Sequence, residues 1–404
     1  MPKILAIIAE YNPFHNGHKF HLDKSKLLTG ADYVICITSG NFMQRGEPSI
    51  VDKFKRAEIA LKNGIDLVVE LPAIFATSNA EVFALGAMKI IKELRIVDYV
   101  SFGSECGDIL KLNTLADLFN EEPSDFVELL KFELDRGISY PKAIENATNT
   151  YFNNKEMGDI LSTPNNTLAI EYLKAIKKLN FEITPITVKR EGLDDKDNIS
   201  SGITSGSNIR KLVSENKKYN HTVPFETFEI IEEAKENNNI VIGLEAFEDI
   251  LIYKIRELSA EVLKQYPDVT EGLENKIKES ALISTNYEEL VSNIKSKRYT
   301  EARIRRILTH ILLDITNRDV EIALKTKPYI RVLGFTKKGR AILSAFKKST
   351  IRRTCTSVKE FVEDNSRNSD LLNTFLKDIY ATNIYNIAID KKANTDYTNR
   401  LITP

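Results

Sequence analysis

The chain opens on a continuous apolar run, Ile4-Leu5-Ala6-Ile7-Ile8, with no polar residue in alternation. That is the pattern of a strand buried on both faces of a parallel sheet. Further strands read over residues 33–37, 66–72, 97–102 and 181–188, with Pro72 closing the third. Between them the period lengthens to that of amphipathic helices, over 19–28, 51–61 and 78–94. Strand, loop and helix in alternation predict an α/β fold with a Rossmann-like, doubly wound parallel sheet. Residues 107–160 read as a charged helical insertion, with 126–134 one candidate helix and a substrate-facing lobe its expected role. Thr163-Pro164-Asn165-Asn166 then leads into a helix through Leu168 and Leu173, with either asparagine a candidate cap.

Past residue 210 the strand pattern nearly vanishes and charged amphipathic segments take over at 225–235, 251–266, 273–281 and 287–297. The expected division is therefore 1–210, an α/β domain, and 211–404, a mainly helical one. Within the second, Ile304, Ile307, Leu308, Ile311, Leu312 and Ile315 share one helix face, and Arg303, Arg306 and His310 fall on the other. Such a basic stripe can track a phosphate backbone and Tyr299 can stack on a base, although a run of charge also describes the wet side of a plain helix. Residues 332–340 read as a tight turn presenting Lys337, Lys338 and Arg340, 375–388 as a final helix, and the tail from Lys391 as frayed.

Composition narrows the class. The 404 residues are 42% hydrophobic and 28% charged, enough for two domains with a substantial core. A formal net charge of -1 provides no global field for nucleic acid, so any RNA contact must come from local patches. Cys36, Cys106 and Cys355 have neither metal nor redox spacing, and no signal peptide or membrane-length apolar run is present. We expect a cytoplasmic protein with no membrane contact and no protein metal site.

The candidate chemistry gathers where strands hand over to helices. His15-Asn16-Gly17-His18 follows the first strand, and three of the five histidines (His15, His18, His21) fall within seven residues. At a helix N-terminus, imidazoles and backbone N–H groups can hold phosphate oxygens. The loop after the second strand offers Ser39, Asn41 and Arg45, and Asp52 followed by Lys53, Lys55 and Arg56 reads as a solvated helix start. Gly103 lies where a base or ribose can rest on bare backbone, and the last strand delivers Lys189 and Arg190 to the same sheet edge. Ser205, Ser207 and Arg210 form a second phosphate-binding candidate at a helix start.

These residues also carry a resemblance. His15-Asn16-Gly17-His18 resembles the HxGH signature of nucleotidyltransferases related to class I aminoacyl-tRNA synthetases, and the longer stretch 9–18 is similar to the tRNA(Met) cytidine acetate ligase family. The likeness extends over 39–46, 66–72, 102–105 and 303–306; the 204–208 stretch departs from the usual small-residue pattern because Gly206 precedes Ser207. The resemblance implies an enzyme that uses ATP as co-substrate, without acetyl-CoA, to activate acetate as acetyl-adenylate. It then acetylates N4 of the wobble cytidine (C34) of elongator tRNA(Met). Implied ATP contacts are Ile7, Ile8, Ala9, Glu10, Tyr11, Asn12, Pro13, Phe14, His15, Asn16, Gly17, His18, Lys19 and Phe20, with Gly103, Arg190 and one of the asparagine pair, Asn165 being favoured. His15 and His18 would be catalytic, Mg2+ would accompany ATP, and no protein partner is implied. Expected tRNA contacts are Lys297, Arg298, Arg303, Arg306, Lys337, Lys338 and Arg340. Two alternatives stand beside this: a small-molecule adenylyltransferase, disfavoured by the basic helical region, and a non-catalytic RNA-binding protein, disfavoured by intact His15, Gly17, His18 and Arg190.

Overall fold

The computed structural model describes residues 2–190, 202–296, 299–350 and 353–404, so the expectations at Lys297 and Arg298 lie outside the described residues. The chain begins β1 (Ile4–Ile8), α1 (Asn16–Thr29), β2 (Tyr33–Ser39), α2 (Lys53–Lys62), β3 (Leu67–Leu71), α3 (Ala73–Ala76), α4 (Ala80–Leu94) and β4 (Tyr99–Ser104). The insertion supplies α5 (Ile109–Glu121), α6 (Ser124–Asp135), α7 (Tyr140–Phe152) and α8 (Lys155–Asp159). Then come α9 (Pro164–Leu179), β5 (Thr184–Lys189) and α10 (Gly206–Ser214). The helical part runs α11 (Phe225–Glu236), α12 (Glu248–Glu257), α13 (Ala260–Leu263), α14 (Leu273–Ile283), α15 (Tyr287–Ile294), α16 (Glu301–Leu313) and α17 (Asn317–Lys325). It ends β6 (Ile330–Phe335), α18 (Lys337–Thr350), β7 (Thr354–Cys355), α19 (Val358–Asp364) and α20 (Ser369–Ile387).

The strands form one seven-stranded sheet in the order β5-β4-β1-β2-β3-β6-β7. The first five are parallel, and the central β1, β2 and β3 are buried on both faces, whereas β5 is a half-exposed edge. Ile4, Ala6 and Ile8 enter one core with the α4 and α9 side chains, while Leu5 and Ile7 enter the other with Leu22, Ala57 and Ile209. The helical region does not stand apart. Ile304, Ile307, Leu308 and Ile311 of α16 join the same core as Leu71 and Phe75.

Several expectations are corrected here. The tight turn expected over 332–340 is a strand followed by a helix: β6 pairs antiparallel with β3, an edge partner that local pattern cannot reveal. The single helix expected over 251–266 is two, α12 and α13. Leu258 takes extended backbone (ψ 140°) between them, and the Ser259 side chain accepts from Val262 N–H at the start of α13. The tail from Lys391 is ordered rather than frayed. Asp396 is buried, 3.1 Å from Lys53 Nζ and 3.0 Å from an Arg331 nitrogen, and Ile402 exchanges backbone bonds with Leu333 and Phe335. Asp52 does cap α2, but the start of that helix is not solvated. Lys53 is enclosed by Glu70 and Asp396, and the Arg56 guanidinium reaches the carbonyls of Glu10, Ser39 and Gly40. Such buried cations persist only where carboxylates and carbonyls satisfy them. Among the described residues no helix is long and apolar enough to cross a membrane.

Candidate active site

The chain order reverses at β1, whose neighbours are β2 on one side and β4 on the other. At such a switch point the loops leaving adjacent strands diverge and open a crevice at the carboxyl edge. A cavity of about 1000 Å³ lies there, lined by Ile8 to Asn12 after β1, by Gly103 in β4, by Val188, Lys189 and Arg190 at the end of β5, and by Met43, Gln44 and Arg45 after β2. The starts of α1, α9 and α10 also line it, through His15, Gly17 and His18, through Pro164 and Asn165, and through Ser205, Gly206 and Ser207. Three helix N-termini thus direct positive partial charge at one volume, an arrangement suited to an anion.

His15 is the N-cap of α1, and its Nδ1 accepts the Gly17 N–H at 3.1 Å. His18 Nδ1 accepts the His15 N–H at 3.2 Å. This bonding assigns both ring protons to Nε2, so each imidazole keeps one donor. The rings stack with centroids 3.7 Å apart, and a Cβ on Gly17 would lie 3.0 Å from the His15 ring, so any side chain there would have to displace that ring. Burial, with the charge of Arg190 second, lowers the His15 pKa to about 3. Burial and then the neighbouring His15 hold His18 well below its usual range. Both are neutral donors at pH 7. His21 also lines the cavity but rests against β4, its Nε2 3.0 Å from Ser101 Oγ, and burial lowers its pKa to about 4.

Beside them Arg190 is anchored by its N–H on Ser104 O, while its buried Nε has no hydrogen-bond partner among the described residues. An orphaned guanidinium nitrogen in a cavity wall fits a phosphate ligand. Burial raises the Glu10 pKa, against the opposing bond from Gln44 N–H at 2.6 Å. Ser205 caps α10, its Oγ 3.0 Å from Ser207 Oγ, and Arg210 is held by the Asn12 carbonyl and by Glu47.

The structure divides the expected residues. Of the 7–20 segment, Ile8, Ala9, Glu10, Tyr11, Asn12, His15, Gly17, His18 and Phe20 line the cavity. Ile7 and Phe14 are core, Asn16 spends its amide on the Gly202 and His221 carbonyls, and Lys19 pairs with Asp23. The asparagine pair separates. Asn165 lines the cavity, whereas buried Asn166 accepts from the Glu105 and Cys106 N–H groups. Neither caps its helix. Thr163 is the N-cap without a side-chain bond, and the Glu105 carboxylate receives the Asn165 and Asn166 N–H groups. Ser39 and Asn41 are buried, with Asn41 holding Lys53 N–H, so they do not face a substrate. The insertion does face the cavity, through Phe119, Phe126, Tyr140 and Ile144.

The basic candidates of the helical region sit differently. Arg303 gives its guanidinium to the Asp268 carbonyl and Thr270 and covers the Tyr299 ring at 4.9 Å, while Arg306 pairs with Asp268 at 3.4 Å. Tyr299 is itself buried and not free to stack on a base, and His310 is fully buried, not on a wet face. Lys337, Lys338 and Arg340 are exposed, but β6 runs antiparallel to β3 and delivers them to the amino edge of the sheet, opposite the cavity. Sequence reasoning missed Arg56 and Glu47, because nothing local distinguishes a buried or bridging charge from a solvated one.

Comparison with known proteins agrees with this geometry. Residues 2–400 match the family model described as HIGH Nucleotidyl Transferase. The tRNA(Met) cytidine acetate ligase of Thermoanaerobacter sp. (strain X514) is 46% identical, covering 99% of this chain and 99% of its own. That of Clostridium novyi (strain NT) is 40% identical over 96% of each. A crystal structure of Thermotoga maritima TmcAL bound with alpha-thio ATP aligns at a TM-score of 0.93 with 33% identity, covering 99% of both chains. With a nucleotidyltransferase fold, an anion-directed cavity and relatives matched end to end, the chain belongs to the tRNA(Met) cytidine acetate ligase family.

Proposed function

We propose that the protein activates acetate with ATP and transfers the acetyl group to N4 of the wobble cytidine, C34, of elongator tRNA(Met). One observation carries the reading: two neutral, stacked histidines, each with Nδ1 held by a backbone N–H, stand at a helix N-terminus beside the orphaned Arg190 nitrogen. Acetate cannot acylate an amine directly, because its carboxylate would have to expel an oxide. In the first step an acetate oxygen attacks the α-phosphorus and pyrophosphate leaves, with His15, His18, Arg190 and the α10 start holding the phosphates. In the second, the cytidine N4 attacks the acetyl carbon, AMP leaves and N4 loses a proton. Phe119, Phe126 and Tyr140 provide an apolar wall against which a base from the single-stranded anticodon loop can rest.

The T. maritima relative's alpha-thio ATP supports ATP as the nucleotide here. Mg2+ would travel with its phosphates; among the described residues no group of three or more His, Cys, Asp or Glu is placed to hold a metal ion. The test is nucleoside analysis of tRNA incubated with the protein, ATP and labelled acetate. The expected product is N4-acetylcytidine that depends on both. Product from acetyl-CoA in strictly ATP-free reactions, or AMP left on a small metabolite with no acetylated tRNA, would overturn the reading.

A further inference from the structure

Basic side chains at the cavity fall into two kinds. Arg210 is committed to Glu47 and the Asn12 carbonyl, and Lys174 to Glu171. Arg45 is exposed at the cavity mouth, and no described residue gives it a hydrogen bond or ion pair. Its own backbone is nevertheless tied on every side. Phe42 and Pro48 bridge, Met43 N–H donates to Glu47 O at 2.8 Å, and Gly46 N–H donates to Met43 O at 3.0 Å. On the cavity side, Gln44 N–H is held by Glu10. On the outer side, Gly46 has φ +70°, and a Cβ there would lie 2.4 Å from the Arg305 carbonyl carbon, so the turn is pressed against the α16 backbone. Glu47 completes the tie by taking both Arg210 and Arg305.

A rigid turn that displays an unengaged guanidinium has already lost the backbone entropy that binding would otherwise cost. The guanidinium is a planar fork suited to phosphate. Two phosphate sources reach this cavity, ATP and the acceptor RNA. The deep positions are supplied by His15, His18, Arg190 and the α10 start, and Arg45 stands outside them, near enough for its charge to be felt by Glu10 and Arg190. When a base enters such a cavity its phosphodiester stays at the rim, because the backbone continues in both directions. We infer that Arg45 grips a phosphodiester beside the nucleotide whose base enters the cavity, making the turn at 43–46 the RNA contact of the catalytic mouth. This rests on the function proposed above.

The experiment compares Arg45→Ala and Arg45→Lys with the unsubstituted protein in two assays. One is acetate-dependent ATP–pyrophosphate exchange without RNA. The other is acetylation of tRNA(Met) at limiting RNA across a salt series. For Arg45→Ala, kcat/KM for RNA should fall at least roughly tenfold further than exchange does, with the loss in KM. The salt dependence of RNA affinity should become shallower by about 1 in log–log slope, the signature of one lost phosphate contact. Arg45→Lys should recover the slope and only part of the affinity, because it keeps the charge and loses the fork. Equal losses in both assays would assign Arg45 to ATP, and an unchanged slope would make it idle; either overturns the inference. If the unsubstituted protein makes no N4-acetylcytidine, the reaction itself is misassigned, an outcome distinct from equal losses in a working enzyme.

Discussion

The histidine loop after β1 and the basic helix α16 are both dense in polar side chains, yet they use them in opposite ways. In the loop, backbone N–H groups occupy Nδ1 of His15 and His18, and both rings line the cavity. On α16 most donors are consumed within the fold: Arg303 by Asp268 and Thr270, Arg305 by Glu47 and Glu301, and Arg306 by Asp268, leaving its buried Nε without a partner among the described residues. Each region also buries a neutral histidine. His15 is bonded at Nδ1, whereas fully buried His310 has only the Thr77 backbone beside its ring. Density of charge is therefore a poor guide to a site; what matters is which donors remain unspent after the chain has satisfied itself.

The sharpest way to break the comparison is at the loop. His18→Ala should reduce acetate-dependent ATP–pyrophosphate exchange by roughly a hundred- to a thousandfold, the usual cost of one preorganised donor, with the thermal midpoint little changed. Exchange at the parental rate in a folded variant would leave the loop as mere scaffold. On the other side stands His310, whose burial lowers its pKa to about 4, against the charge of Asp268 and with that of Arg306. Because the unfolded imidazole takes up its proton near 6.5, stability is lost as pH falls below that value. The loss is about 1.4 kcal/mol per pH unit, continuing until the folded ring protonates. Unfolding free energies of the parent relative to His310→Gln should diverge in that sense between pH 6.5 and about 4, and a flat difference would show that the ring is not buried neutral.

Two smaller effects refine the contrast. Glu47 joins the regions by holding Arg210 of α10 and Arg305 of α16, so Glu47→Gln should cost about 1–2 kcal/mol in urea unfolding, modest because Arg305 is partly exposed. No loss would mean that α16 docks through Gly46 and the apolar core alone. The double change Arg303→Ala, Arg306→Ala should lower the thermal midpoint by roughly 2–4 °C. It should alter the salt slope of tRNA affinity by less than ~1, since both guanidiniums are already bonded inward. A slope reduced by ~2 would show that they leave Asp268 in the complex and return α16 to RNA binding.

Patterns confined to a few consecutive residues were enough for much of this protein. The unbroken apolar runs at 4–8 and 33–37, with three more broken ones, specify the parallel strands, and the His15–His18 spacing at a strand-to-helix junction locates one wall of the cavity. Neither depends on what lies far away in the chain. The fate of individual charges does depend on it. Lys53 and Arg56 have the local sequence of a wet helix start and become buried because Glu70, Asp396 and distant carbonyls arrive to satisfy them. Residues 330–335 have no partner within reach of local pattern, and only β3 makes them a strand. The same pairing sends Lys337, Lys338 and Arg340 to the edge away from the cavity. Hydrophobic period is set by the backbone's own repeat and is written in the chain. Burial of a charge is set by whether an opposite charge or a free carbonyl meets it, and that is decided only when distant segments pack.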